Sequence, residues 1–222
     1  GRALPISQTK PLPDPTEGDP ELTTLTKAFN PNMSVETGFS APNQSYSFGI
    51  GNQLNADNKD IDYGYNFYVS YQNNYRYYND VQYNAYRKNP ELSENNFFID
   101  RSSKGQLGIH NVIWSALLGQ SVKINKVHKL SLNLFHTQNG ESQAASLREQ
   151  NYESNPAILL KQNLQYTQRS TTNANLSGTH SLAQNAWQVK WAISPSLSLI
   201  KDPDIRSTIL EEVETENGVT YG

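Results

Sequence analysis

The residues best suited to bind a metal or move a proton are four histidines, His110, His128, His136 and His180, in a chain without cysteine. Their spacing fits no zinc pattern, and the strands around them supply no carboxylate partners for a zinc site. They read as solvated or boundary side chains. Gly49-Ile50-Gly51 is at most a fragment of a phosphate-cradling loop; it falls inside an alternating run with no helix after it, which makes it a small-residue strand position. No serine lies in a nucleophile elbow or has a partnered histidine. Glu211, Glu212, Glu214 and Glu216 form an acidic run that could suit a cation but reads first as a solvated loop. The expectation is a protein that is not an enzyme and carries no cofactor.

What remains is binding chemistry. Arg76, Tyr83, Tyr86, Arg87, Phe97, Phe98, Arg101, Arg148 and Tyr152 offer stacking surfaces and ionic hydrogen-bond partners to a polar substrate. Apart from Arg76 they fall in 80–104 and 140–156, polar stretches that read as loops, where binding residues gather on a rigid scaffold. Arg76, Lys161, Arg169 and Lys190 would point to the polar side of the strands, where contact with substrate competes with plain hydration.

The elements that must position these residues are strands. In IDYGYNFYVSYQNNYRYYND, residues 61–80, the odd positions Ile61, Tyr63, Tyr65, Phe67, Val69 and Tyr71 are apolar or aromatic, while Asp62, Gly64, Asn66, Ser70 and Gln72 oppose them. Successive strand side chains point to opposite faces, so one face is greasy and the other polar. Soluble strands are usually about 5 to 6 residues long, and this run keeps its phase for roughly three times that.

The same alternation recurs along the chain. Tyr46, Phe48, Ile50 and Leu54 share one face of 44–54, and Leu130, Leu132, Leu134 and His136 one face of 128–139. Leu160, Leu164, Tyr166, Ala174, Leu176 and Leu182 do so in 157–182, and Trp187, Val189, Trp191, Ile193, Leu197 and Leu199 in 187–200. In 105–124 the phase changes from Leu107 and Ile109 to Val112, Trp114 and Leu118, which predicts a bulge near His110 and Asn111. Repeated proline predicts neither helix nor strand in 1–30, and 33–39 is a short alternating run between Pro31 and Pro42. The domain reading is a Pro-rich linker or loop with one weak strand over 1–43, barrel strands over 44–206 and an acidic extracellular loop over 207–222.

Connections alternate short and long: 55–60 short, 80–104 long, 125–127 short, 140–156 long, 183–186 short, then a long segment from Lys201. A barrel in an outer membrane has short periplasmic turns and long outer loops. This sets 44–54 running inward, 61–79 outward, and so on in turn. Tyr46, Phe48, Ile50, Tyr63, Tyr65, Phe67, Val69, Leu130, Leu132, Leu134, Leu164, Tyr166, Val189, Trp191 and Ile193 are then the expected lipid-facing set.

Composition agrees. The 222 residues are 36% hydrophobic with a net charge of −3, and the mean hydropathy is −0.69. No apolar stretch of about 18 residues offers a membrane helix, and no basic surface suggests nucleic acid. A low average with strong alternation is expected of strands that give one face to lipid and the other to a wet lumen. The chain opens GRALPISQTK, without initiator Met or signal peptide, and reads as an excised piece or processed product.

QSYSFGIGNQL (44–54), FHTQNGES (135–142), YTQRSTTNANLSGTH (166–180) and WAISPSLSLIKDPDIR (191–206) together resemble the barrel of TonB-dependent outer-membrane receptors of the Bacteroidetes type, those with a carboxypeptidase-regulatory-like domain. The resemblance spans 44–206. It implies an all-β, antiparallel transmembrane wall of six to seven consecutive strands from a larger, 22-stranded barrel in a Gram-negative outer membrane. It also implies import of a substrate with energy from TonB. The implied partners are outer-membrane lipid, the remainder of the barrel and its plug, TonB through an N-terminal part, and a surface lipoprotein lid. The chain departs from the family in having no recognisable plug or TonB box. The alternative expectation is a secreted or surface-bound all-β binding module or adhesin, whose apolar face a second sheet would have to cover.

Overall fold

A computed structural model describes residues 20–55, 60–88, 96–125, 127–152, 157–182, 186–215 and 218–222. Outside them lie residues 1–19 of the Pro-rich linker, residues 56–59, 126 and 183–185 of the short connections, and 89–95 and 153–156 of the long ones. Glu216 of the acidic run is also outside. Among the described residues the elements in order are α1 (Pro20–Ala28), β1 (Gln44–Asn55), β2 (Ile61–Lys88), β3 (Phe97–Ile124), β4 (His128–Asn151), β5 (Ile158–Leu182), β6 (Trp187–Ile193), β7 (Ser196–Thr215) and β8 (Gly218–Tyr221).

The strands pair antiparallel in sequence order, and β6 and β7 share one edge of β5, so the eight strands fill seven positions of a sheet curled into a half-barrel. The pairing follows from the alternation. Apolar positions of one strand mostly meet apolar positions of the next: Ile50 pairs with Phe67, Phe67 with Leu118, and Leu118 with Leu134. A one-residue slip would move each of these to the other face.

The opposite face holds a ladder of hydroxyls. Ser47, Ser70, Ser115, Thr137, Thr171 and Ser198 lie side by side across six strands. Ser115 Oγ and Thr137 Oγ1 are 2.8 Å apart, and Thr171 Oγ1 and Ser198 Oγ 3.1 Å. Two same-face rows further towards the short turns, past Tyr68, Leu117 and Phe135, Asn66 and Asn133 lean over Gly119 between them, where a Cβ would strike both amides.

Burial is inverted. Among the described residues no hydrophobic side chain is buried, whereas Ser103, Asn111, Glu149 and Thr167 are each only 8% exposed. All four stand on the polar face. Phe48 is 58% and Ile193 62% exposed, on the apolar one.

Several expectations need correction. The strands are far longer than the alternation marks, because β2 and β3 each run 28 residues and β4 24. Most of 80–104 and 140–156 is therefore strand, and the long loops shrink to the connections 89–96 and 152–157. The acidic segment 207–222 is no loop either: β7 continues to Thr215 and turns back as β8, with Gly218 at φ 118. The strand expected over 187–200 is broken at Ser194-Pro195. Proline has no N–H to give to the ladder, while its carbonyl still accepts Ala174 N at 3.0 Å. At the N-terminal end Pro20–Ala28 is helical, with proline in the first turn, Glu21 near the N-terminus and Lys27 near the C-terminus. Residues 33–39 form no strand.

The expected bulge near His110 is absent: β2 and β3 pair without a break from Ile61 and Ile124 to Tyr78 and Leu107. Leu107 and Ile109 simply occupy the polar face. The irregularity comes just beyond, on β2, where Asn79 and Asp80 oppose Gln106 alone. Further along the same pair Asp100 of β3 is the extra residue between Arg101 and Ile99, which pair with Ala85 and Tyr86. Another bulge lies on β7, where Lys201 to Asp204 opposes Gln168 to Tyr166. Each bulge shifts the phase of its strand by one residue. Past them Val81, Tyr83, Ile205 and Ile209 stand on the otherwise polar face, and Gln82, Asn84, Asp204 and Arg206 on the otherwise apolar one.

Candidate functional site

The far end of the sheet, beyond these bulges, gathers most of the residues expected to meet a substrate. They sit on strand extensions, which hold side chains more firmly than loops do. Tyr83, Tyr86 and Arg87 lie on β2, Phe97, Phe98 and Arg101 on β3, and Phe98 and Phe97 pair with Arg87 and Lys88. Tyr152, just past β4, joins them through its N–H, which donates to Asp100 O at 3.0 Å.

Their charges are largely spent on one another. Asp100 receives Arg87 at 3.6 Å and Arg101 at 3.8 Å. Asn84 Nδ2 donates to Tyr86 Oη at 3.2 Å and Ser102 Oγ to Asn84 Oδ1 at 2.8 Å. The Tyr152 hydroxyl donates to Gln150 at 3.3 Å. Tyr83, Tyr86 and Phe97 remain 54%, 60% and 69% exposed, so the aromatic surfaces, more than the cations, are open to a ligand.

Arg148 is removed from this group. Its guanidinium holds Glu212 with two bonds, at 2.8 and 2.7 Å, reaching across β5 from β4 to β7. The bidentate contact holds the Glu212 carboxyl below its usual range and raises Arg148. On the other face Lys161 Nζ lies 2.7 Å from Glu149, which also accepts Ser103 Oγ at 3.0 Å. Burial pushes the Glu149 carboxyl up, but these two hydrogen bonds and the Lys161 charge outweigh it and hold the group low. Arg76 lies lower on β2, apart from the tip cluster, paired with Ile109.

The histidines enter cross-strand contacts. His110 stacks on Tyr75 with ring centroids 4.2 Å apart, and His136 Nδ1 is 2.7 Å from Thr172 Oγ1. At the short-turn end Trp191 Nε1 donates to His180 Nε2 at 3.0 Å. His180 Nδ1 must then carry the proton it shares with His128 Nδ1, 3.1 Å away. Trp191 lies flat over Gly178, where no side chain would fit. Among the described residues no three His, Cys, Asp or Glu side chains are grouped to hold a metal.

All fifteen residues of the expected lipid-facing set share one face by register, but in two zones. Tyr46 to Ile50, Tyr63 to Val69, Leu130 to Leu134 and Val189 to Ile193 lie in a band that ends at the row Tyr46, Tyr71, Trp114, Gln138. Leu164 and Tyr166 lie above it, beside a feature that the alternation does not reveal. Residues 32–43 cross this face as a strap. Arg206 and Thr208 donate to the carbonyls of Asn32 and Met33, Val35 N donates to Gln162 Oε1 at 3.2 Å, and Tyr75 N to Asn43 Oδ1 at 2.7 Å. Between strap and sheet is a cavity of about 600 Å3. The only trace of the strap in the sequence is local: Asn30 and Asn32 side chains accept the N–H groups two residues on, at 3.0 and 3.1 Å.

Neither protein-family models nor the curated proteins contain a match to this chain.

Proposed function

We propose that the chain is a consecutive wall segment of a TonB-dependent outer-membrane receptor barrel, a non-enzymatic transport component whose outer end meets an imported substrate. The observation that carries this reading is the inverted burial. Strands with exposed Phe48, Phe67, Leu134 and Ile193 on one face and hydrogen-bonded Ser, Thr and Asn on the other suit lipid outside and water within. In a soluble module that apolar face needs a second sheet, and among the described residues every strand belongs to the one curled sheet.

Strand length points the same way. A strand crosses a bilayer in about 9 to 11 residues, so the 28 residues of β2 and β3 project well past it. Among the described residues the outer edges of β1, of β6 and of β7 short of its pairing with β8 carry no partner strand. In hydrocarbon each unpaired backbone group costs several kcal/mol, so further strands and a plug complete the barrel, with TonB supplying energy from the inner membrane. The aromatic tips Tyr83, Tyr86 and Phe97 then face the medium and receive substrate, with a surface lipoprotein as the candidate lid.

Single cysteines test this on intact Gram-negative cells producing the barrel that contains the chain. Tyr83→Cys and Tyr152→Cys should react with a membrane-impermeant thiol reagent, and Lys129→Cys should not. The reverse pattern overturns the orientation. Specific, saturable uptake by the chain alone in proteoliposomes overturns the wall-segment reading.

A further inference from the structure

The cavity under the strap sits on the face that the band below it shares with lipid, so any ligand assigned to it rests on the membrane reading. Its floor is made of small side chains, Gly108 of β3 with Ser142 and Ala144 of β4. The stacked Tyr75 and His110 close one end, two same-face rows above Tyr71 and Trp114. At that depth hydrocarbon gives way to headgroups, and amphipathic rings are favoured. The strap residues Val35 to Ser40 form the outer wall.

We infer that this cavity is a binding site for a membrane phospholipid with an amine-bearing, zwitterionic headgroup, of the ethanolamine type. Charge selects the headgroup. Glu36 and Asp204 line the cavity against the guanidinium of Arg206, while Arg76, also at its edge, belongs by register to the opposite face. This leaves an excess of one negative charge towards the ligand. Arg206 donates from Nε and Nη2 to Asp204, at 2.9 and 2.8 Å, and from Nη1 to Asn32 O, which leaves two of its five N–H groups for a phosphate oxygen. An ammonium finds Glu36 and the faces of Tyr75 and Tyr166. The acyl chains continue down the same face over Val112 and Trp114, so the floor leads directly into the band. A free amino-phosphate compound lacks those chains and gains nothing from that surface.

The test places the completed barrel in nanodiscs of equal ethanolamine, choline and glycerol phospholipids, strips it into mild detergent and counts retained lipid by native mass spectrometry. One ethanolamine lipid per chain is expected to persist. Ala144→Trp, which fills the floor, should lower retention about tenfold. Glu36→Gln, on the exposed strap and harmless to the sheet, should reduce the preference for ethanolamine over glycerol lipid. Equal retention of the glycerol lipid by the unaltered protein, or retention unchanged in both variants, overturns the site. A barrel that inserts yet retains no lipid overturns the site alone, whereas failure to enter the bilayer overturns the membrane reading and the site with it.

Discussion

The half of the sheet near the short turns and the half that projects beyond the Tyr71–Trp114 row are made of the same strands, yet they follow opposite rules of polarity. In the first half one face is mostly apolar, the other is mostly Ser, Thr, Asn and Gly with one row of Tyr68, Leu117 and Phe135 among them, and no ion pair among those observed falls there. In the second, ion pairs stand on both faces: Arg148 with Glu212 on one, Glu149 with Lys161 on the other. Bulges in β2 and β7 separate the two regimes on their strands. The difference teaches that a strand's polarity pattern reports its surroundings more than its backbone. Where one face is apolar the alternation holds, and past the bulges charges stand on either face.

The sharpest way to break this comparison is to place one charge in each half on the same face. Phe67→Arg in the band should cost about 2 to 4 kcal/mol of folding into vesicles, whereas Gln82→Arg beyond the bulge should stay within about 0.5 kcal/mol. Urea titration of refolding into lipid reads both. Equal costs would mean that the two halves share one environment.

A smaller effect is expected from the polar face of the first half. Gly119→Leu drives a side chain into Asn66 and Asn133 and should cost about 1 to 3 kcal/mol, as overpacking does. At Gly38 on the strap an added Cβ meets nothing within 4 Å, and Gly38→Ala should leave the same midpoint unmoved.

The projecting half should answer to pH. Glu149 is held below its ordinary value, so its contribution is fully present above the unfolded carboxylate value, about 4.3, and is lost as pH falls through the depressed folded value. Lys161→Met removes the partner, leaves Glu149 enclosed and should cost about 1 kcal/mol at pH 7. Between pH 6 and 3, hydrogen exchange of β4 and β5 beyond the band should accelerate in the unaltered protein and much less in Glu149→Gln. Acceleration confined to the band would reverse the assignment. The smallest change is expected for Arg148→Ala. Half exposed, its pair with Glu212 should be screened by salt, so the variant and the unaltered protein should converge in midpoint as ionic strength rises.

The strands were legible in the sequence wherever one face is apolar. Tyr63, Tyr65, Phe67 and Val69 announce β2 because side-chain period is a property of the extended backbone itself. Beyond Tyr78 the chain remains extended, but Gln82, Tyr83, Asn84 and Tyr86 mix polarities on both faces, and nothing local distinguishes such a strand from a loop. That is why 80–104 and 140–156 looked like loops. The tip cluster was legible as residue types, since Tyr83, Tyr86, Arg87, Phe97 and Arg101 do meet at one end. The role of Arg148 was not, because its partner Glu212 lies 64 residues away on a strand that alternation did not extend so far.

By itself the sequence determined the all-β character, the apolar set of each strand and the succession of antiparallel hairpins, all consequences of a period-two backbone and of short turns. Only the tertiary structure decided the rest. Register placed Asn66 and Asn133 over Gly119, the bulges turned Ile205 and Ile209 to the face that is polar elsewhere, and hydrogen bonds over 127 to 175 residues laid the strap across the sheet. Such features depend on which distant groups meet, and the free energy of those meetings leaves no period in the chain.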